Sequence, residues 1–389
     1  MDIILLGASG SIGQQTIDVI EQNRDRFSLV AFSVGRRHQI VPSILERHPQ
    51  VKSVYLIGKN IAEEYQEKYP NIKFLSSDDE TDSQGICKLI EENNCDMVVN
   101  ALVGFIGLVP SVVALNNNRK LALANKESLV VGGEIINDLL KEGKGALYPI
   151  DSEHSALWKC LKVDDQDVDK LVLTASGGAF RKLSLDELEN VTPEDALKHP
   201  TWQMGNKITI DCATMVNKAF ELIEAYQLFG YKSDQLGVKL HDESLLHSYV
   251  IYKNGLCRGE YSKPDMHNPI RFALFEGECE FETVVFNNLE DLKDCHFHDF
   301  SLERYPLVGI AYQVIEKGGN LGAIFNASNE VAVRAFLDHK IKFLDIDKII
   351  NQSLKDVAYI AKPSLRDLLN THQIATELAL NMVKEVGNK

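Results

Sequence analysis

The stretch "IILLGASGSIGQQTIDVI", residues 3–20, decides how the chain begins to fold. Four apolar residues lead into Gly7, Gly10 and Gly13, and a helical pattern follows, so the order is strand, glycine loop, helix. The G-x-x-G-x-x-G spacing lets bare backbone approach a pyrophosphate at a helix N-terminus. Its place after the first strand favours a dinucleotide over a plain tight turn. The second strand selects which dinucleotide. An NAD site wants an acid about 20 residues further on to hold the ribose 2′-hydroxyl, whereas "FSVGRRH" supplies Arg36 and Arg37. Two guanidiniums suit a 2′-phosphate and hence NADP(H); two solvated loop arginines are the plainer alternative.

Working outward, apolar runs alternate with helical patterns to about residue 150: "SLVAFSVG", "VKSVYLIG", "IKFLSS", "CDMVVNAL", "RKLALAN" and "GALYPID". Such alternation implies a parallel sheet wrapped by helices, with ligands at the carboxyl ends of its strands. The middle of the chain mixes helices with strand candidates "KLVLTASGG", "KITIDCAT", "LLHSYVIYKNGLCRGEY" and "FETVVF", and its "YKNG" turn reads as a hairpin. The charged run "NNLEDLKDCHFHDFSLERYP" reads as a link to four helical patterns that begin near Leu307. The expected class is α/β: a Rossmann-like NADP-binding domain over 1–150, an α+β catalytic and connective domain over 151–290, a linker over 291–311 and a helical domain over 312–389.

Composition narrows the function. The 389 residues carry a net charge of −15, the wrong sign for a general binder of nucleic acid or anionic membrane. Seven cysteines, odd in number and without a Cys-x-x-Cys pair, suggest neither a disulfide framework nor a zinc knuckle, and fit a reducing, cytoplasmic compartment. The start lacks a basic n-region, so no ordinary secretory signal is expected and the mature chain is expected to begin here. Residues 97–115 carry no charge over 19 positions, but Asn100, Gly104, Gly107, Pro110 and Ser111 divide them into a strand, a turn and a helix start; no membrane span is expected.

The chemistry clusters after strands. In "YPIDSEHSALWKC", residues 148–160, Asp151 and Glu153 are hard oxygen donors two residues apart, suited to Mg²⁺ or Mn²⁺ with places left open for substrate; capping acids at a helix start are the alternative. In "MVNKAFELIEA", Asn217 and Glu221 share a helix face beside Lys218, as a site or as a solvated face. "TASGGAF" offers Ser176, Gly177 and Gly178 as an anion nest or as a plain turn. "HPTWQMGNK" carries His199, Trp202 and Met204 in a loop able to close over a ligand, or as ordinary packed side chains. Lys126 in "LANKES" follows another strand.

With GASGSIG, LANKESLV, PIDSEHSA, LTASGGAFR, HPTWQMGNKITI, ATMVNKAFELIEA, PDM (residues 264–266), RYP and NEVAV in this order, the chain resembles the 1-deoxy-D-xylulose 5-phosphate reductoisomerases nearly end to end. The resemblance implies a homodimeric, metal-dependent NADPH enzyme acting on a sugar phosphate in isoprenoid precursor synthesis. It implies Asp151, Glu153 and Glu221 as metal ligands. Substrate binding falls to Lys126, Ser152, Glu153, Ser176, His199, Trp202, Cys212, Asn217, Lys218 and Glu221, with Lys126, Glu153 and His199 nearest the chemistry. NADPH falls to Ser9, Gly10, Ser11, Ile12, Gly35, Arg36, Arg37, Asn125, Glu127, Met204 and Gly205.

Several positions depart from the family pattern. Cys212 stands where serine is usual, Ala179 replaces proline, and "EYSKPDM" and "HDESLLHS" differ from Q-L-G-x-P-D-M and H-P-Q-S. A thiol is a weaker donor to phosphate than a hydroxyl. Two other functions share the glycine loop: a metal-free semialdehyde dehydrogenase with Cys160 or Cys212 as nucleophile, and a non-catalytic NADP sensor that leaves the three acids without a role.

Overall fold

The computed structural model describes residues 1–163, 167–198, 200–202, 204–278 and 293–387. The strand candidate "FETVVF" and His199 lie outside the described residues. The chain divides into two compact units.

The first unit holds Met1–Ser128, Glu134–Asp151 and Met266–Phe281. Its sheet comprises β1 (Asp2–Leu6), β2 (Ser28–Ser33), β3 (Ser53–Ile57), β4 (Lys73–Ser77), β5 (Met97–Asn100), β6 (Lys120–Leu123) and β7 (Ala146–Pro149), one for each apolar run expected over 1–150. All pairs are parallel, in the order β4-β3-β2-β1-β5-β6-β7. Its helices are α1 (Ser11–Gln22), α2 (Val41–Arg47), α3 (Lys59–Lys68), α4 (Gln84–Glu92), α5 (Leu108–Asn116) and most of α6 (Glu127–Lys141). Because a parallel strand is covered on both faces, it reads as a continuous apolar run; Ile3, Ile4, Leu5 and Leu6 of β1 are all fully buried. Each such side chain contributes roughly 2 kcal/mol through burial. The order reverses between β1 and β5, which creates the crevice at the strand ends where this architecture binds ligands. Residues 97–115 fold as β5, a turn and α5. No described helix is long and apolar enough to cross a membrane.

The second unit holds Leu129–Gly133, Ser152–Asp265 and Glu282–Lys389. It contains α7 (Ser152–Val163), β8 (Val168–Ala175), α8 (Pro193–Ala196), α9 (Asn206–Thr214), α10 (Val216–Phe229), β9 (Leu236–His241), β10 (Leu246–Tyr252) and β11 (Cys257–Tyr261). After α11 (His267–Leu274), which belongs to the first unit and adds Ile270, Ala273 and Leu274 to its core, come β12 (Phe297–His298), α12 (Leu307–Lys317), α13 (Leu321–Leu337), α14 (Phe343–Asp356) and α15 (Leu365–Gly387). The sheet runs β11-β10-β8-β9-β12, with β8 and β9 parallel and the other pairs antiparallel. The "YKNG" turn joins β10 to β11 as expected, with Gly255 at φ +85°.

One expectation is corrected. "KITIDCAT" is not a strand but most of α9. Its alternating β-branched residues suggest a pleat, yet tertiary packing outweighs so small a propensity. In helical form Asp211 receives Lys207 Nζ at 2.9 Å across one turn and Asn329 Nδ2 at 2.9 Å from α13, so its buried carboxylate is satisfied. Asn329 opens the NEVAV segment, which gives that motif a structural role.

Asn320 at the start of α13 donates to Thr371 Oγ1 of α15 at 3.1 Å and to the Ala358 carbonyl at 3.0 Å. The adjacent His372 has its pKa pushed down to about 4 by burial. The folded state therefore prefers neutral imidazole: full stability is present above the ordinary value of 6.5 and is lost as pH falls from there toward 4. His372→Gln should flatten the thermal-melting profile over that window, removing up to about 3 kcal/mol of acid sensitivity. An unchanged pH profile in the variant would refute this.

Candidate active site

In the first unit the glycine loop leaves β1 with Gly7 at φ +82°. A Cβ there would lie 2.5 Å from the Ala101 carbonyl oxygen that follows β5, and one on Gly13 would lie 2.3 Å from the Gly7 carbonyl oxygen. Bare backbone is therefore required where the loop crosses the switch point and where α1 packs beneath it. Gly10 takes the N-cap of α1 with no side-chain cap, leaving the first amides of the helix aimed outward with Ser9, Ser11 and Ile12 around them. An uncapped helix start of this kind suits a pyrophosphate. The loop is held to β2 by Gly7 N donating to Ser33 Oγ at 2.9 Å and Ala8 N to the Ser33 carbonyl at 2.8 Å. Gly35, Arg36 and Arg37 follow β2 at the exposed carboxyl edge; Arg36 is ion-paired with Glu80.

Asn125 is buried, and its amide donates to the carbonyls of Leu102 at 3.0 Å and Gly104 at 2.9 Å and to Glu127 Oε2 at 3.1 Å. It thus braces the loop after β5 and orients Glu127. Lys126 donates to Asp151 Oδ2 at 2.6 Å, both side chains about nine-tenths covered.

In the second unit, α7 carries Ser152, Glu153 and His154, and α10 carries Asn217, Lys218, Glu221 and Glu224. Lys218 Nζ donates to Glu153 Oε1 at 2.8 Å and also to Glu221, while Asn217 Nδ2 donates to Glu221 and Ser152 to Glu153. Burial by itself would depress the Lys218 pKa, but Glu153 and Glu221 outweigh it and hold it above the ordinary value. That ammonium is charged throughout the neutral range, so its ion pairs persist until pH rises past the raised pKa. Beneath the site, His154 Nε2 donates to the Glu221 carbonyl at 2.9 Å and Nδ1 faces Glu224 at 3.4 Å.

Asp151 is the residue before α7, so its place beside Glu153 follows from two residues of chain. Asp151, Glu153 and Glu221 each present a carboxylate oxygen, all within 4.8 Å of one another. Oxygens spaced so closely are within reach of one small ion whose oxygen ligands stand at about 2.1 Å. Three hard donors, with an ammonium already against two of them, make a site with the chemistry of a small divalent cation.

Ser176 follows β8, and Gly178 N donates back to Ser176 Oγ at 3.2 Å. Gly177 and Gly178 have φ of +77° and +68°; a Cβ on Gly178 would stand 2.5 Å from the Cys212 carbonyl oxygen. The turn is thus pressed on the end of α9 at Cys212, and Met215, at φ +63°, joins α9 to the helix that carries Asn217 and Lys218. Trp202 sits 6.1 Å from the ring of His247. Met204 is half-buried, and Gly205 is the exposed N-cap of α9.

Several residues escaped the sequence reading. His247 is buried, and burial lowers its pKa while nearby Glu153 and Glu260 raise it, leaving it below its ordinary value. Arg304 donates to the carbonyls of Phe180 at 2.9 Å and Leu183 at 3.1 Å, holding the far side of the Ser176 turn. Arg181 and Arg304 lie inside the quoted segments LTASGGAFR and RYP, but nothing in their spacing tells which carbonyls they reach. Cys160 is a buried thiol whose pKa burial pushes up to about 11, the opposite of an activated nucleophile.

A switch-point glycine loop with arginines after β2, joined to a unit bearing converging acids and a lysine, defines a dinucleotide-dependent, metal-assisted reductase. Three family models match: that of 1-deoxy-D-xylulose 5-phosphate reductoisomerase over residues 3–133 and those of its C-terminal domains over 147–229 and 261–378. The chain belongs to the 1-deoxy-D-xylulose 5-phosphate reductoisomerase family. It is 40% identical over 371 residues to the 1-deoxy-D-xylulose 5-phosphate reductoisomerase of Bacillus cereus strain AH187, covering 95% of this chain and 96% of that one. A Lachnospira eligens protein of the same name is 39% identical over 97% of this chain and 98% of its own. Among solved structures, a DOX-P reductoisomerase in complex with NADPH, fosmidomycin and magnesium matches with a TM-score of 0.90 at 30% identity, over 99% of this chain and 98% of that one. The Zymomonas mobilis reductoisomerase in complex with NADPH matches at 0.88 and 33%, over 98% of each.

Proposed function

We propose that this protein rearranges 1-deoxy-D-xylulose 5-phosphate and reduces it with NADPH to 2-C-methyl-D-erythritol 4-phosphate, an isoprenoid precursor, using a divalent metal. It is an NADPH-dependent oxidoreductase of its family. The observation that carries the site reading is the convergence of Asp151 and Glu153, just after β7, with Glu221 of α10, and Lys218 against two of them. A Mg²⁺ or Mn²⁺ held by those three carboxylates would supply Lewis-acid charge to the substrate's carbonyl and neighbouring hydroxyl.

The chain's own residues do the rest. Ser176, Asn217 and Lys218 hold the phosphate, with the weaker thiol of Cys212 beside them, and this remote anchor supplies binding energy that orients the reacting carbons. Ser152 and Glu153 face the sugar, and Lys126 sets its ammonium beside the carbon skeleton. Trp202, with His199 in the same segment, covers the substrate and excludes water. Ser9, Gly10, Ser11 and Ile12 receive the pyrophosphate; Gly35, Arg36 and Arg37 receive the 2′-phosphate. Asn125, Glu127, Met204 and Gly205 line the rest of the cofactor. The protein works as a homodimer in the cytoplasm, a reading supported by the family resemblance.

The test is oxidation of NADPH by the purified chain with deoxyxylulose phosphate, with the product identified by NMR. Methylerythritol phosphate formed one for one with NADP⁺ is the expected result, and NADPH oxidation without that product would overturn the reading.

A further inference from the structure

The turn that begins at Ser176 is tied to a part of the second unit with no assigned role. Arg181 Nη1 donates to the Ser176 carbonyl at 3.1 Å and to the Asp242 carbonyl at 3.2 Å, and lies 3.2 Å from Asp242 Oδ1. Both side chains are largely covered, at 18% and 25% exposure, so the pair is better shielded than a surface ion pair. Asp242 follows β9 and is itself held: its N–H donates to the His296 carbonyl at 3.2 Å, and His298 Nε2 meets Oδ1 at 3.1 Å. Arg304 grips the other end of the same turn through Phe180 and Leu183. The family pattern H-P-Q-S has proline where this chain has Asp242; proline keeps the backbone carbonyl that Arg181 reaches but has no carboxylate to offer.

We propose that Asp242 is a positioning residue for the phosphate end of the substrate, acting through Arg181 on the Ser176 carbonyl. Gly177 and Gly178 both have positive φ, so the backbone bends sharply after Ser176, and the direction of the Ser176 hydroxyl, which already accepts from Gly178 N, depends on that bend being held. Fixing the carbonyl at its head sets the direction of the Ser176 hydroxyl and of the amides that follow. The ion pair thereby offsets the weaker donor at Cys212 by stiffening the donors that remain. The inference rests on the reading of Ser176 as a phosphate ligand given above.

The experiment uses the full chain with NADPH and Mg²⁺, comparing wild type, Asp242→Ala, Asp242→Asn and Arg181→Gln. In Asp242→Ala the KM for deoxyxylulose phosphate and the calorimetric Kd for inorganic phosphate should rise together about tenfold, the scale of one lost charge-assisted hydrogen bond. The KM for NADPH should stay within about twofold, because the glycine loop is built without this turn, and kcat should fall by no more than phosphate binding weakens. Asp242→Asn keeps an oxygen facing Arg181 and should recover most of the affinity. Unchanged phosphate binding in Asp242→Ala, or a fall in kcat with phosphate binding intact, overturns the proposal. Should that variant fail to fold, Arg181→Gln decides: the same joint rise supports the proposal and wild-type constants reject it. A wild type that binds phosphate without turning over deoxyxylulose phosphate would instead sink the proposed function, and the calorimetric comparison would still judge Asp242.

Discussion

Glu153→Gln should lose turnover by about a thousandfold, since a ligand that helps hold the metal's charge bears on several kcal/mol of transition-state stabilisation. The substitution keeps the side chain's size and removes one negative charge from a site where Lys218 meets both Glu153 and Glu221. Lys218 keeps Glu221 as its partner, so the variant should remain folded and melt within a few degrees of wild type. NADPH binding, read by quenching of protein fluorescence, should be unchanged, because the glycine loop and the arginines after β2 are built without Glu153. Full activity in the variant would remove Glu153 from the ligand set. Equal loss of turnover and of NADPH binding would point to unfolding instead.

Removing divalent metal should silence the enzyme while leaving it standing. Stripping with a chelator should lower NADPH oxidation by about a thousandfold or more, on the same charge argument, and Mg²⁺ or Mn²⁺ should restore it. The melting temperature should move little. Buried carboxylates without a counter-charge would be costly, but the Lys218 ammonium already pairs with both Glu153 and Glu221, and Lys126 pairs with Asp151, so only one net negative charge is left among the three acids. Metal content by mass spectrometry, turnover and melting measured on one preparation separate the two effects. Turnover that persists in demonstrably metal-free protein would end the metal-assisted mechanism.

Seven strands of the first sheet were legible because each is a buried parallel strand, and burial on both faces writes itself as an unbroken apolar run. The glycine loop was legible for a related reason: close backbone approach at Gly7 and Gly13 excludes any side chain. In the second unit the signal weakens. "KITIDCAT" has the residue types of a strand, and packing decides its helical form, burying Ile210 and Ala213 and giving Asp211 partners on its own helix and on α13. β9, whose burial is partial along its middle, carries no clear apolar run and was not foreseen.

The sequence by itself determined the local chemistry: a dinucleotide loop, a pair of arginines after the second strand, two acids after the seventh, and a helix with Asn217, Lys218 and Glu221 on neighbouring faces. Tertiary structure alone decided who meets whom. Lys218 reaches Glu153 across 65 positions, Arg304 reaches Phe180 across 124, and Arg181 reaches Asp242 across 61. Pairings within a turn follow from backbone geometry, whereas these follow from how whole elements pack, and packing is set by the summed burial of many side chains rather than by the pair that it brings together.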